Sequence, residues 1–444
     1  MLKTQKKLRK LAVTMVVSLL LPISTVLAAT PAAPAAPPTE LTLEQSINMA
    51  LANNPTGKIA VFSFEAAKGA LTAARSYRWP TLSGTHKDSW TWAGETYNQK
   101  YSLDPNSVTD LYSNSVTASW TIWSGNSVES QVSQAKLSLD SSEWEVAKAR
   151  QQLKYDATTG YFDLMAARDS VKLNQESVER LESYLRDTKL QFEVGVVAKV
   201  DVLRSEVSLA DARQSLIVAQ NTYAIAMAKL NNIIGLPLAT ELSVKGDLTY
   251  VIFEPELAVC VETALRQRPE ISQYQNAAKI AKEAITIAKA GYLPTVSAVY
   301  QTGWYNDTFP GGSHNNWTAY LTTNWTFLDS GLTAGKVKQA VEGYNKAQEQ
   351  LIQTMDSVRL DVRSTYLSLK AAGQAIQTSS AAVGLAEEDY KIKVIRYQAG
   401  VGTNLDVLDA QVALTTAKNN LLKSMYSYNT FRAQIDKNMG VAVK

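Results

Sequence analysis

A long internal repeat constrains the fold more than any other feature of this sequence. The Gly-Val and Asp-Val-Leu sequences within residues 195–203 return within residues 400–408, about 205 residues later. Three further residues recur at that spacing: Trp120, Tyr161 and Gly235 recur as Trp325, Tyr366 and Gly440. Upstream the spacing is about 214 residues, since Ala50, Pro55 and Pro80 recur as Ala264, Pro269 and Pro294. The sequence therefore predicts two copies of one fold unit.

The chain begins with the pattern of a secretory signal peptide. Five basic residues lie within residues 3–10, an apolar run extends from Leu11 to Leu27, and small residues precede a cleavage site after Ala28. We expect a signal peptide over residues 1–28 and an Ala/Pro tether over 29–40, with a single membrane anchor as the alternative. Loss of the five basic residues changes the formal net charge from +3 to about −2, which implies no nucleic-acid partner.

Cysteine count and hydropathy narrow the possible structures further. Cys260 is the single cysteine, so no disulfide forms within one chain, and we expect a small buried residue. After Ala28, no apolar run approaches the roughly 20 residues of a membrane-spanning helix. If the chain crosses a membrane, it must therefore cross as strands.

Each half is expected to hold short helices, two strands, a very long helix and a return helix. The first repeat covers residues 41–235 and the second covers 255–440, with an equatorial connector over 236–254 and a chain end over 441–444. The predicted elements are strands at about 81–92, 115–123, 295–305 and 317–328, long helices at about 126–194 and 331–399, and hairpin turns at 195–201 and 400–406.

Apolar residues recur at every seventh position of both long helices, which is typical of a coiled coil. These positions are Ala157, Leu164, Val171, Val178, Leu185 and Phe192, and Val362, Leu369, Ile376, Val383, Tyr390 and Tyr397. At 1.5 Å per residue, helices of about 65 to 70 residues extend about 100 Å. This length excludes a compact globular core.

The other segments alternate apolar and polar residues, as in residues 116–122. Strands of about ten residues match an outer-membrane barrel, although a half-buried sheet of a soluble protein shows the same alternation. Tryptophan favours the membrane, because indole rings prefer the interface between lipid and water. The candidate membrane-interface aromatics are Trp79, Trp90, Trp92, Trp120, Trp123, Trp304, Trp317 and Trp325.

Four strands per chain are too few to close a barrel, and unpaired strand edges are not tolerated in lipid. Several copies must therefore pool their strands. Two copies would supply about eight strands, which is too narrow for an open lumen, whereas three would supply about twelve. We expect a homotrimer.

These residues resemble the TolC family of outer-membrane efflux channels. The resemblance rests on the signal peptide, on Asn54-Pro55, on Pro80 and Pro294 before the strands, and on the duplicated glycine turns. It implies a mainly α-helical protein whose trimer joins a twelve-stranded outer-membrane β-barrel to a periplasmic α-helical coiled-coil barrel. It also implies the exit duct of a tripartite efflux or type I secretion system for toxic compounds or proteins. The implied partners are a periplasmic adaptor and an inner-membrane pump or ABC exporter.

Gly195 and Gly400 each end a long helix, where glycine takes a left-handed conformation at little cost. By the resemblance, the turns that they mark point into the periplasm and dock the adaptor. The candidate docking residues are Gly195, Val196, Val197, Gly400, Val401 and Gly402. The alternative is that both glycines only terminate helices.

Three aspartates, Asp201, Asp406 and Asp409, follow these turns. In a trimer each position supplies three carboxylates, which would favour cations at a narrow entrance. Asp201 and Asp406 fit helix capping equally well, since Thr403 and Asp406 have capping-box spacing and an acid in a first turn is stabilised by the helix dipole. Asp409 lies a turn deeper and its repeat counterpart is Arg204, which favours a role in the lumen.

The resemblance also implies a closing contact between neighbouring hairpins near these turns. Asp201 and Tyr397 are the candidate pair. Gly402 stands where a related channel has a basic residue, so one side chain of that closure network is missing here. The candidate gate and selectivity residues are therefore Asp201, Tyr397, Asp406 and Asp409.

The sequence gives no indication of an enzyme. The two histidines, His86 in a strand and His314 in a Gly-rich loop, are accompanied by no catalytic or phosphate-binding motif. Surface histidines are a simpler reading than a copper or zinc site, and we expect no metal and no cofactor. Two other functions stay open: a non-conducting exported scaffold such as an adhesin stalk, and a self-contained porin, which the mostly helical chain disfavours.

Overall fold

The computed structural model describes residues 40–92, 94 and 108–442. The expected signal peptide, the tether before residue 40 and residues 443–444 lie outside these ranges. The first repeat comprises α1 (Leu43–Asn53), α2 (Pro55–Ser76), β1 (Thr81–Thr91), β2 (Thr109–Trp123), α3 (Ser127–Glu193) and α4 (Lys199–Ile234). The second comprises α5 (Leu257–Gln267), α6 (Pro269–Lys289), β3 (Thr295–Asn306), β4 (His314–Asn324), α7 (Leu332–Gln398) and α8 (Asn404–Asn438), with a 3-10 turn at Ala290–Tyr292.

Local sequence signals set where the short helices begin. Thr42 and Gln45 form a capping box at α1, in which Thr42 N donates to Gln45 Oε1 at 2.9 Å and Gln45 N donates to Thr42 Oγ1 at 3.3 Å. Asn54 caps α2, with Pro55 at its first position, and Pro269 takes the first position of α6. Proline suits this position because its missing N–H removes no helical hydrogen bond.

Helices α3 and α7 each contain 67 residues and begin and end within one residue of the predicted bounds. Their seventh-position residues are buried or half-buried, except Phe192, which is 42% exposed near the end of α3. Within the described ranges, every helix is too short or too polar to pass through a bilayer.

The two repeats bury equivalent residues. The equivalent pairs, each residue at most 3% exposed, are Ala50 and Ala264, Ala157 and Val362, Leu164 and Leu369, and Leu230 and Ile435. Cys260 is fully buried, as expected, and its counterpart Ser46 is also fully buried. The duplication therefore extends to the hydrophobic core and not only to the turns.

Strands β1 to β4 form one antiparallel sheet in chain order. Strand β1 pairs with β2 from Thr81 opposite Ser119 to Thr91 opposite Thr109, and β3 lies between β2 and β4. Within the described part of the chain, β1 and β4 therefore each have one edge without a strand partner.

Two strands differ from their predicted bounds. Strand β2 begins at Thr109 and not at about 115, because β1 supplies backbone partners as far as Thr91. Strand β4 covers His314–Asn324 and not 317–328, because Asn324 pairs with Thr295, the first residue of β3. His314, expected in a loop, is consequently the first residue of a strand.

The register sorts the sheet into two chemically different faces, since successive side chains point to opposite sides. One, which we call the apolar face, carries Leu82, Val116, Trp120, Tyr300, Trp304, Trp317 and Leu321. The other, which we call the polar face, carries Ser83, Thr85, Ser115, Thr117, Gln301, Thr318 and Thr322. The sheet is thus amphipathic, and no described helix covers either face in the way that helices bury the sheet of a soluble protein.

The eight tryptophans predicted at a membrane interface are exposed by 39 to 70% in the single chain. Two of them hold equivalent places at the junction of helices and strands. The indole N–H of Trp120 donates to the carbonyl of Arg78 at 2.9 Å, and that of Trp325 donates to the carbonyl of Tyr292 at 3.1 Å. Each carbonyl lies two residues before the proline that precedes a strand, so the duplication also preserves this hydrogen bond.

Replacing Gly235 by Ala should destabilise the protein by about 2 kcal/mol more than replacing Gly246 by Ala. Both glycines have positive φ, 78° and 99°, but an added Cβ at Gly235 would lie 2.7 Å from the Asn53 Cβ, whereas Gly246 has open space. The midpoint of thermal loss of helical circular dichroism in detergent measures the difference. Equal midpoints for the two variants would contradict a packing role for Gly235.

Candidate functional site

Both long helices end in the same glycine turn. Gly195 follows α3 with φ 77°, and the N–H of Val196 donates to the Gln191 carbonyl at 2.8 Å. Gly400 follows α7 with φ 74°, and the equivalent hydrogen bond is 3.0 Å long. Nothing lies within 4 Å of an added Cβ at either glycine, so the left-handed backbone and not crowding selects glycine.

The residues that follow the two glycines present apolar surface at the hairpin ends. Val196 is 71% exposed and Val401 is 65% exposed, while Val197 is half-buried. Gly402 differs from its neighbours, because an added Cβ would lie 3.0 Å from the backbone nitrogen of Tyr397. A side chain at position 402 would therefore press against the end of α7.

The predicted capping box at Thr403 and Asp406 is confirmed. Asp406 Oδ2 accepts hydrogen bonds from Thr403 Oγ1 at 2.6 Å and from Thr403 N at 3.1 Å, and Lys393 Nζ lies 3.3 Å from Asp406 Oδ1. The Thr403 hydroxyl foremost, then the Thr403 N–H and Lys393, lower the pKa of Asp406 to about 2. Both carboxylate oxygens are thus engaged within one chain. The equivalent helix α4 has Ala198 at its cap, with no side-chain cap hydrogen bond.

The other two aspartates are placed differently. Asp201 lies in the first turn of α4, where its backbone carbonyl accepts a hydrogen bond from Ser205 Oγ at 2.9 Å. The carboxylates of Asp201 and Asp409 make no hydrogen bond or ion pair with any described residue. Asp409 is exposed and lies three residues beyond Asp406, on the same side of α8.

Asn404, which the sequence analysis did not select, joins the two hairpins of the chain. Its Nδ2 donates to the Asp201 carbonyl at 2.8 Å and to Ser205 Oγ at 3.4 Å, and its Oδ1 accepts from the Tyr184 hydroxyl at 3.1 Å. The side chain is buried, with 4% exposure. The signal available in the sequence was a departure from the repeat, because the first copy has Lys199 at this position.

Tyr397 contacts the first hairpin of its own chain. Its hydroxyl donates to Gln191 Oε1 at 2.8 Å, and its ring centroid lies 5.5 Å from that of Tyr184. Burial raises the pKa of Tyr184, and Tyr397 adds to the effect. We call Tyr184, Gln191, Asp201, Tyr397 and Asn404 the hairpin cluster. Within the described residues, the predicted pair Asp201 and Tyr397 is connected through Tyr184 and Asn404 and not by a direct hydrogen bond.

A second polar tie lies deeper between α3 and α8. Arg180 Nε donates to Gln411 Oε1 at 3.2 Å, and Gln411 Nε2 donates to Ser177 Oγ at 3.4 Å. Gln411 is 3% exposed. Two successive layers of buried amide contacts therefore fix the second hairpin against the first.

The sequence is similar to a known protein family and to characterised proteins. It matches the model of the family "Outer membrane efflux protein" over residues 46–236 and 260–441. It is 27% identical over 308 residues to outer membrane protein TolC of Escherichia coli (strain K12), which covers 66% of this chain and 62% of that protein. It is 23% identical over 408 residues to the probable efflux pump outer membrane protein TtgC of Pseudomonas putida, covering 90% of this chain and 82% of that protein. The chain thus spans less than two thirds of the length of the TolC relative.

The fold is also similar to solved structures. The outer-membrane channel OprN superposes with a TM-score of 0.79 at 17% identity, covering 90% of this chain and 89% of that one. VceC from Vibrio cholerae superposes with a TM-score of 0.78 at 18% identity, covering 90% and 97%. At such identities the likeness establishes the fold alone, whereas the family match covers most of the sequence. The chain is an outer-membrane protein and belongs to the outer membrane efflux protein family.

Proposed function

We propose that three copies of this chain form a passive duct through the outer membrane and the periplasm. The observation that carries this proposal is the amphipathic sheet with unpaired edges at β1 and β4. If β4 of one copy pairs with β1 of the next, every edge gains a partner, and about twelve strands close into a barrel with an open lumen. The apolar face then meets lipid and the polar face lines water.

The helical part of the duct is formed by α3 and α7, each about 100 Å long. Residues 236–254 form a band around these helices. Contacts within the chain support this assignment, because Arg168 donates to the carbonyls of Val244 at 3.1 Å and Gly246 at 3.0 Å. The Tyr161 hydroxyl donates to the carbonyl of Lys245 at 2.5 Å. Residues 244–246 of the connector are thus hydrogen-bonded to the middle of α3.

The duct serves as the outer-membrane exit of a tripartite efflux or type I secretion system. Both roles occur among the names of similar proteins: TtgC belongs to an efflux pump, and AprF of Pseudomonas aeruginosa, 23% identical over 301 residues, is an alkaline protease secretion protein. The partners are a periplasmic adaptor and an inner-membrane pump or ABC exporter. A passive exit takes its substrate from that pump.

The adaptor docks on the hairpin ends. The exposed valines Val196 and Val401 supply apolar contact area, and the left-handed glycines Gly195 and Gly400 set the direction of each turn. An exposed apolar patch at the end of a long hairpin is typical of a protein-binding site. The docking set is Gly195, Val196, Val197, Gly400, Val401 and Gly402.

The hairpin cluster holds the periplasmic entrance closed. Asn404 and Tyr397 fasten the second hairpin to the first, so opening requires these buried contacts to break. The Asp201 carboxylate makes no hydrogen bond or ion pair with a described residue of its own chain, which leaves it available to a neighbouring copy. Asp409 supplies the charge of the entrance, whereas Asp406 caps α8.

The purified protein should form uniform ion-conducting pores in planar bilayers. The reason is that closing the sheet between copies leaves the polar face around a water-filled lumen. Single-channel current steps measure this outcome. Release of the protein from cell envelopes by salt without detergent, together with no conductance, would contradict the proposal and favour a non-conducting scaffold.

Replacing Asn404 by Ala should raise the open probability of the pore. Loss of its buried hydrogen bonds costs about 2 kcal/mol, which shifts an equilibrium between closed and open states about 30-fold. Asn420→Ala is the matched control, because Asn420 is an exposed asparagine of the same helix whose side chain holds no described contact. Single-channel recordings compare the two. Equal open probabilities in folded protein would contradict the closing role of Asn404.

Replacing Asp409 by Asn should lower the cation preference of the pore without a change in stability. Asp406→Asn should instead destabilise the start of α8, because the lowered pKa of Asp406 means that the folded state favours its ionised form. That stabilisation is present above about pH 4 and is lost as the pH falls through about 2. Reversal potentials in a salt gradient and thermal melting separate the two roles. An unchanged reversal potential for Asp409→Asn would reject the assignment.

A further inference from the structure

One row of side chains crosses the polar face of the sheet near its far end. The register places Lys87 opposite Ser113, Ser113 opposite Tyr305, and Tyr305 opposite His314. The rings of Tyr305 and His314 are stacked, with centroids 5.4 Å apart. The Ser113 hydroxyl donates to the backbone carbonyl of Lys87 at 3.2 Å. This hydrogen bond does not involve the ammonium group of Lys87. We call these four residues the lysine row.

Lys87 is the only permanently charged side chain on the polar face of the described strands. The acidic residues of these strands, Asp88 and Asp110, lie on the apolar face. Asp88 is also engaged there, since His86 Nε2 lies 2.9 Å from its Oδ1. No described residue forms an ion pair with Lys87. The charge of Lys87 is therefore not compensated by the strands around it.

The neighbouring row on the apolar face indicates where the lysine row lies relative to the membrane surface. His86, Asn114, Trp304 and Asn315 form that neighbouring row. The rows nearer the helices hold mostly apolar residues, so the surface changes from apolar to polar at this level. A change of this kind, marked by tryptophan, is typical of the boundary between lipid tails and headgroups. The lysine row thus lies at the mouth that is far from the helices.

Three copies of the row would surround the lumen at this mouth. A closed barrel of twelve strands that lie about 4.8 Å apart and are tilted by about 40° has a diameter of roughly 24 Å. With lysine side chains extended inward, the three ammonium groups lie roughly 10 Å apart, which is about the Debye length at 0.1 M salt. Their fields therefore overlap, and because the described strands place no acidic side chain on the polar face, this level of the lumen concentrates anions.

We propose that Lys87, with Ser113, Tyr305 and His314, forms a cationic ring at the external mouth that binds small organic anions on their way out. This inference rests on the proposed trimeric duct and its inward polar face. The ammonium groups hold a carboxylate or sulfonate, and the exposed ring of Tyr305 contacts the organic part of the solute. The ring and the aspartates of the periplasmic entrance then favour opposite charges at opposite ends of the duct.

Current block by benzenesulfonate in planar bilayers tests the ring. The half-blocking concentration should rise about tenfold in Lys87→Glu and by a smaller factor in Lys87→Gln, because charge reversal repels the anion. The ratio of cation to anion permeability should rise in the same order. Asp88→Asn is the matched control for Lys87→Gln, because each variant removes one charge, but Asp88 lies on the apolar face. It should stay within about twofold of the native block.

The possible outcomes distinguish a failure of the proposed ring from a failure of the proposed duct. Native-like block in folded, conducting Lys87→Glu would overturn the ring and leave the proposed function intact. An effect of Asp88→Asn as large as that of Lys87→Glu would also overturn the ring, because the wrong face would then line the lumen. Absence of conductance in the native protein, together with its release from cell envelopes by salt without detergent, would reject the proposed function, and the ring with it.

Discussion

Backbone hydrogen bonding in lipid is the constraint on which this structure depends. Strands β1 and β4 each contain 11 residues, and about half of their peptide groups point away from the one strand partner that each has. That leaves roughly ten polar groups on each open edge, and each unsatisfied group costs several kcal/mol in hydrocarbon. The sum exceeds the typical stability of a folded domain, about 5 to 15 kcal/mol. The proposed pairing of edges between copies would remove this cost for a sheet of this size.

The two repeats share one scaffold, and the candidate site arises where their sequences differ. The buried positions of the two repeats are equivalent, and so are the glycine turns and the indole hydrogen bonds at the strand entries. At the hairpin ends the copies differ: Thr403 and Asn404 in the second copy stand where the first has Ala198 and Lys199. These differences create the capping box and the tie between hairpins. In the proposed trimer, the entrance would alternate two unlike hairpins.

Local signals made much of the fold predictable from the sequence. The long helices end at Gly195 and Gly400 as predicted, because a left-handed glycine stops a helix wherever the rest of the chain lies. Strand bounds depended on partners, so β2 began earlier at Thr109 and β4 was displaced toward His314. The sequence did not predict Asn404 either, because its hydrogen bonds join it to residues about 200 positions away in the chain. Sequence patterns specify local geometry well and specify tertiary partners only through the repeat.

Hydrogen exchange at the two edge strands tests the central claim most directly. In the detergent-solubilised protein, amides of β1 and β4 that point away from their partner within the chain should exchange as slowly as those of β2 and β3. The reason is that a neighbouring copy accepts their hydrogen bonds in a closed barrel. Fast exchange of these outward amides, beside slow exchange throughout β2 and β3, would show an open edge and contradict the shared barrel.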